Sequence, residues 1–316
     1  MDVVSLGPLQ VGGFVWQSQS GAHALTVVAK ATFALAPGEC GLASEQEALN
    51  EADNHWNDDP ARSVYSPSDR APLKARADVV LVGHAFAPGQ QPVRSLMTRM
   101  VVGSIDKSIE VWCERGYRVH GGQLLEGPRF VKMPLRWERA AGGPETFNPV
   151  GMRFDAAPDQ YGMVAIPNLQ PPGTYISRAG ETFTPVGYGP IAASWPGRAM
   201  KLGRSAGRFS ESAWQGERLP EDLEPAYFNV APPDQQAEEL RANERIVLEN
   251  LHPEHARLVT SLPGLKPWAL VERASGVREG VTLVADTLWI DTDRGICTLV
   301  WRGRLWLRDA REGGRG

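Results

Sequence analysis

Residues 282–303 read TLVADTLWIDTDRGICTLVWRG. Two runs of β-branched, aliphatic and aromatic residues flank a short polar link, Asp291 to Gly295, whose glycine can take the positive φ that closes a tight loop. The stretch predicts an antiparallel hairpin in which residues 282–290 pair with 296–302, and this commits the end of the chain to sheet. The same pattern recurs upstream. HALTVVAKATFAL sets Leu25, Val27, Ala29, Ala31, Phe33 and Leu35 on one face and Thr26, Lys30 and Thr32, with Val28 among them, on the other, as in a half-solvated strand. DVVLVGHAFAP is apolar on both faces and predicts one fully buried strand stopped by Pro88. MVVGSIDKSIEVW predicts a second hairpin turning near residues 105–107.

Glycine at 33 and proline at 25 of 316 residues favour many turns and short elements over long helices. Two short helices are expected, one over FSESAWQGERL capped by Ser210 and one over DQQAEELRAN capped by Asp234. FNPVG at 147–151 and FTPVG at 183–187 echo each other, but two copies do not make a repeat protein. The expected fold is mainly β within a single domain, residues 1–316. It comprises antiparallel sheets in two β lobes, at about 1–140 and 236–310, with a loop-rich middle at about 141–235 and a few short helices.

Thirty-three Lys plus Arg against 37 Asp plus Glu leave a net charge of -4, with no basic footprint for nucleic acid. The start, MDVVSLGPLQVGGFVW, lacks the basic and apolar regions of a leader, and no run of about 18 apolar residues occurs. No membrane insertion and a cytoplasmic location are therefore expected. Cys40, Cys113 and Cys297 lie far apart and read as buried free thiols.

Several motifs could carry chemistry. GRSAG, residues 203–207, matches a serine nucleophile elbow, with Ser205 followed by Asp222 or Asp234 and then His252 or His255. The elbow nevertheless needs a buried strand before it, and PGRAMKL is a poor one. HPEH spaces His252 and His255 for a shared metal, with Pro253 between them and no third ligand in the pattern. Asp291 and Asp293 suit loop residues that bond their own backbone. Asp286 shares a strand face with Val284, Leu288 and Ile290, where a carboxylate needs donors such as an arginine. His84 reads as a satisfied core histidine. Trp16, Trp56, Trp137, Trp195, Trp214 and Trp301 adjoin Gly, Pro or charged residues, a setting that suits interfaces and sugar platforms, although most are expected to be core. YFNVAPPDQQ, residues 227–236, predicts a stiff elbow: two prolines hold an extended rod, Asp234 caps a short helix directly after it, and Tyr227 and Phe228 point to opposite sides.

HWNDDPARSVY, LKARADVVLVGHAFAP, MPLRWERAAGGPETFNPVG, IPNLQPP, AYFNVAPPDQQ and LVADTLWIDTDRGICTLVWRG succeed one another in this order. In these stretches, and over nearly its full length, the chain resembles the domain-of-unknown-function family 2169, DUF2169, associated with bacterial type VI secretion. AGRFSESAWQGERLP departs from the form AGTYD…W…R.P expected there. The resemblance implies a non-catalytic adaptor or chaperone that holds a secreted effector or toxin and helps load it onto a valine-glycine repeat spike or a PAAR-type tip. It implies no catalytic residue, cofactor or metal. Candidate partner-binding residues are Trp56, Asn57, Tyr227, Phe228, Asn229, Gln235, Gln236 and Trp301, and candidate structural polar residues are His84, Asp234 and Asp286. The competing expectations are a serine hydrolase using Ser205 and a structural or carbohydrate-binding component of a contractile injection particle.

Overall fold

The computed structural model describes residues 3–153, 156–176, 184–205, 209, 218–273 and 275–307. The protein is mainly β, and the described residues include one α-helix, Pro196–Ala199. The helix expected from Ser210, and Trp214, lie outside the described residues.

Two larger sheets carry the fold. The first runs, in spatial order, Gln10–Gln17, His23–Ala34, Ile296–Trp306, Val284–Asp291, Ala77–Val82 and Gln236–Ala237, with Gly41–Leu42 beside the second strand. Its pairs are antiparallel except that of Ala77–Val82 with Val284–Asp291. The second runs Leu169–Gln170, Ile105–Trp112, Ser95–Val102, Arg245–Glu249 and Arg257–Ser261, all antiparallel. Each sheet therefore draws strands from both ends of the chain, so the two lobes are not successive stretches of sequence. Side chains from both sheets, among them Ala31, Leu81 and Leu299 from one and Met100, Ile109 and Leu248 from the other, share one buried core. Burial of this continuous apolar face is the main stabilising term.

The terminal hairpin forms as Val284–Asp291 against Ile296–Trp306, and Gly295 has φ 62 in its turn. A bulge at Asp286 shifts the register. Ala285 on one side of it and Leu288 and Ile290 on the other all face the core, so the parity of the strand switches there. Asp286 is thereby turned away from the core face expected for it, and its carboxylate pairs with the Arg302 guanidinium and accepts from Thr287 Oγ1 at 2.8 Å.

Three other expectations change. The 95–112 hairpin turns at Gly103 and Ser104, since Val102 is opposite Ile105. DVVLVGHAFAP is two strands, Ala77–Val82 and His84–Phe86, broken at Gly83. Gly83 has φ 107, and a Cβ there would collide with the Thr292 hydroxyl, which accepts from His84 N at 2.8 Å. The His23–Ala34 strand is buried on both faces. Residues 43–73 cover its polar face: Gln46 bonds both Thr32 N and Thr32 O, Lys30 Nζ reaches Asp69 at 2.9 Å, and Thr26 Oγ1 donates to Pro72 O at 2.8 Å. Its polar residues thus answer a strap of chain rather than water.

Candidate functional site

The elbow YFNVAPPDQQ is internal. Pro225 starts a 3-10 turn over Pro225–Phe228, and Tyr227 and Phe228 are both buried, edge to face at 5.3 Å between centroids. They do not point to opposite sides, because the backbone there is helical rather than extended. The chain then crosses Asp78, which is fully buried. Asp78 accepts from Asn229 Nδ2 at 3.0 Å, Val230 N at 2.9 Å, Ala231 N at 3.2 Å and Lys74 Nζ at 2.6 Å. Lys74 also donates to Thr287 Oγ1 at 2.7 Å. Breaking a buried pair of this kind typically costs about 3–5 kcal/mol, because the remaining charge is left uncompensated.

Pro232 is extended, as its neighbour Pro233 requires, but only a single 3-10 turn, Pro233–Gln235, comes after it, not the helix expected over DQQAEELRAN. Gln235 is drawn inside, donating to Val79 O at 2.7 Å and Tyr188 O at 2.9 Å, and Gln236–Ala237 adds a strand to Ala77–Val82. Asp234 makes no cap; it pairs with the buried Lys107 at 2.9 Å, which also donates to Gly187 O and Gln235 Oε1. Gln236 is half-buried and bonds Ala231 O, and Trp301 is 2% exposed. Tyr227, Phe228, Asn229, Gln235 and Trp301 are therefore architecture and offer no surface to a partner.

Trp56 and Asn57 stay at the surface. Trp56 lies under the Arg136 guanidinium at 3.9 Å and against Tyr65 at 4.7 Å, and Asn57 is exposed with φ 59. Beneath them Tyr65 donates to Asp291, and both burial and that carboxylate push the phenol pKa up. Asp291 also accepts from Asp293 N and Arg294 N, the backbone role expected of it. His84 is not a core residue: half-buried, it places Nδ1 2.7 Å from Asp293, which Lys132 approaches at 3.1 Å. Despite the desolvation of its carboxyl, hydrogen bonds from His84 and Lys132 hold Asp293 below the usual carboxylate range.

The hydrolase order in the sequence is not assembled in space. Ser205 Oγ donates directly to Asp222 at 3.1 Å, and Asp222 is held low by hydrogen bonds from Arg204 N and Ser205. His252 is engaged elsewhere, accepting from Glu254 N and His255 N and stacking on His255 at 4.8 Å. Among the described residues no group of three or more His, Cys, Asp or Glu could hold a metal ion. No helix among them is long and apolar enough to cross a membrane.

One surface feature does have the character of a binding site. Residues 3–9, residues 263–272 and the floor formed by Leu25 and Val27 enclose a groove of about 790 Å³. Its rim carries Val4, Leu6, Leu265, Trp268 and Leu270, all exposed, with Trp268 at 71% and Leu6 fully open. Isolated apolar residues on a surface are ordinary, whereas a contiguous set around a concave apolar floor marks an interaction site. The sequence signal was available in SLGPL and LPGLKPWAL, where apolar residues alternate with Gly and Pro, but Trp268 was not among the tryptophans singled out. Of those, Trp16, Trp137, Trp195 and Trp301 are buried.

A family profile described as an uncharacterized protein conserved in bacteria, DUF2169, matches residues 20–302. The chain belongs to the DUF2169 family. No curated protein and no solved structure matches it. Within the family match lie the second sheet, the latched elbow, the 263–272 wall of the groove and most of the first sheet, whereas the 3–9 wall and the Gln10–Gln17 strand precede it.

Proposed function

We propose that this DUF2169 protein is a cytoplasmic, non-catalytic adaptor or chaperone that holds a type VI secretion effector and helps load it onto the spike or its PAAR-type tip. The observation that carries this reading is the open apolar groove between residues 3–9 and 263–272. A chaperone must cover apolar surface on its client without chemistry, and a rigid double-sheet scaffold bearing such a groove meets that need. The family resemblance in the six quoted stretches supports reading the client as a secreted effector.

The test is retention of the client. Trp268→Asp and Leu270→Asp change exposed side chains, so both variants should keep the wild-type melting temperature. Each should lose effector in pull-downs from the native cell by at least about tenfold, equivalent to about 1.4 kcal/mol. Wild-type protein that recovers no toxin, spike or tip protein at low salt would overturn the reading. Variants that bind as wild type does would move the contact away from the groove.

A further inference from the structure

The Arg115–Arg118 strand begins with a buried guanidinium that pairs with no carboxylate. Arg115 is 4% exposed and lies between Glu126 and Ile166 in its ladder. Its guanidinium stacks over Trp112 at 4.4 Å and lies 5.3 Å from the Tyr175 ring centroid. Nε, Nη1 and Nη2 all lack an acceptor, and so does the adjoining Trp112 Nε1. Glu126, the nearest carboxylate across the ladder, is committed to Arg94. Arg94 also donates to the Tyr175 hydroxyl at 3.2 Å, so that oxygen accepts there and its own proton is available to another acceptor.

This contrasts with the other buried cations. Arg198 donates to Tyr227 O and Ile191 O, Arg302 reaches Asp286 and Asp69 O, and Lys107 has three acceptors. Among the described residues no other arginine has all three guanidinium nitrogens buried and unanswered. Burial pulls its pKa down by more than Tyr175, Cys113 and Glu126 nearby restore it. Buried donors of this kind call for a partner.

We propose that Arg115 and Trp112 Nε1 form a receptor for a single carboxylate group, which enters when the exposed Tyr175 ring that covers them swings aside. The guanidinium fork fits a planar carboxylate through two parallel hydrogen bonds. One negative charge suffices, because Glu126 already neutralises Arg94. The carboxylate belongs either to a small free acid or to a peptide, and both present the same group.

The full chain is titrated with sodium acetate against sodium chloride at equal ionic strength, and with a short peptide bearing a free C-terminal carboxylate against the same peptide amidated. Melting temperature and tryptophan fluorescence are followed. A saturable rise in melting temperature with acetate, absent with chloride, is expected, accompanied by a fluorescence change that Trp112→Phe removes. Arg115→Gln should abolish the response. If that variant does not fold, Tyr175→Ala, which keeps Arg115 and uncovers it, should saturate at an acetate concentration at least threefold lower than wild type. Tighter binding of the free peptide than of acetate assigns the site to peptides, and equal binding assigns it to small acids. No saturable response of the wild type to either carboxylate, or a response that survives in folded Arg115→Gln, overturns the proposal.

Discussion

His252 shows how one buried ring ties stability to pH. It is 7% exposed, and its Nδ1 accepts from Glu254 N at 3.2 Å and His255 N at 3.3 Å, so the folded state needs that nitrogen unprotonated. Burial, then the neighbouring His255, depresses its pKa. The unfolded chain, with a histidine pKa near 6.5, therefore takes up a proton that the folded chain refuses. The contribution to stability is thus complete above about pH 7 and is lost as pH falls below about 6.5, at up to about 1.4 kcal/mol per pH unit. His252→Gln keeps an acceptor without a titrating group, so urea midpoints at pH 7.5, 6.5 and 5.5 should fall less steeply for the variant than for wild type. Equal slopes would show that folding leaves the proton affinity of His252 unchanged. HPEH was legible as a pair of close histidines, but whether they faced a metal or each other depended on the turn at Pro253.

Among the elements, the elbow is where sequence pattern and structure diverge most. Two adjacent aromatics in an extended strand face opposite ways, and that geometry motivated an outward ring. Pro225 at the first position of a 3-10 turn instead rotates both into one cluster with Trp16, Leu202, Leu219 and Leu223. Tyr227→Ala and Phe228→Ala should therefore each cost about 3–5 kcal/mol, the range for deleting a buried aromatic. The check is the denaturation midpoint of each variant, and a Tyr227→Ala protein as stable as wild type would place the ring outside the core. The Pro-Pro rod was predictable because proline fixes φ locally. The missing helix was not, because Gln235 gains more by satisfying the buried carbonyls of Val79 and Tyr188 than by extending a short helical turn.

At the scale of the molecule, strands from the two ends of the chain are interleaved. Residues 24–34 pair along their length with 296–306, and Ser95–Val102 lies against Arg245–Glu249. Neither residues 1–140 nor 141–316 can complete either larger sheet alone, so each fragment expressed separately should give the circular dichroism of an unfolded chain, and mixing them should restore strand signal. A fragment that melts cooperatively by itself would restore the successive-lobe arrangement. The interleaving also locates the apolar groove, because residues 3–9 and 263–272 meet over the His23–Ala34 strand only once both ends are in place.

Local chemistry determined which stretches become strands. Alternating or continuous apolar runs, Gly295 at the hairpin turn and prolines at the corners were readable because each acts within a few residues, and on that basis the mainly β class, the terminal hairpin and the family motifs were legible. Tertiary structure alone decided which polar residues were inside and which apolar ones were outside. Lys30, Thr32, Asp78 and Gln235 look like surface residues, yet each is buried because it is bonded by groups from another segment of the chain. Trp268 and Leu270 look like core, yet they remain exposed because their short hairpin, Trp268–Glu272 with Arg278–Thr282, joins neither larger sheet. Burial is a property of what packs against a residue, and hydrophobic periodicity records only that a face is to be covered, not what covers it.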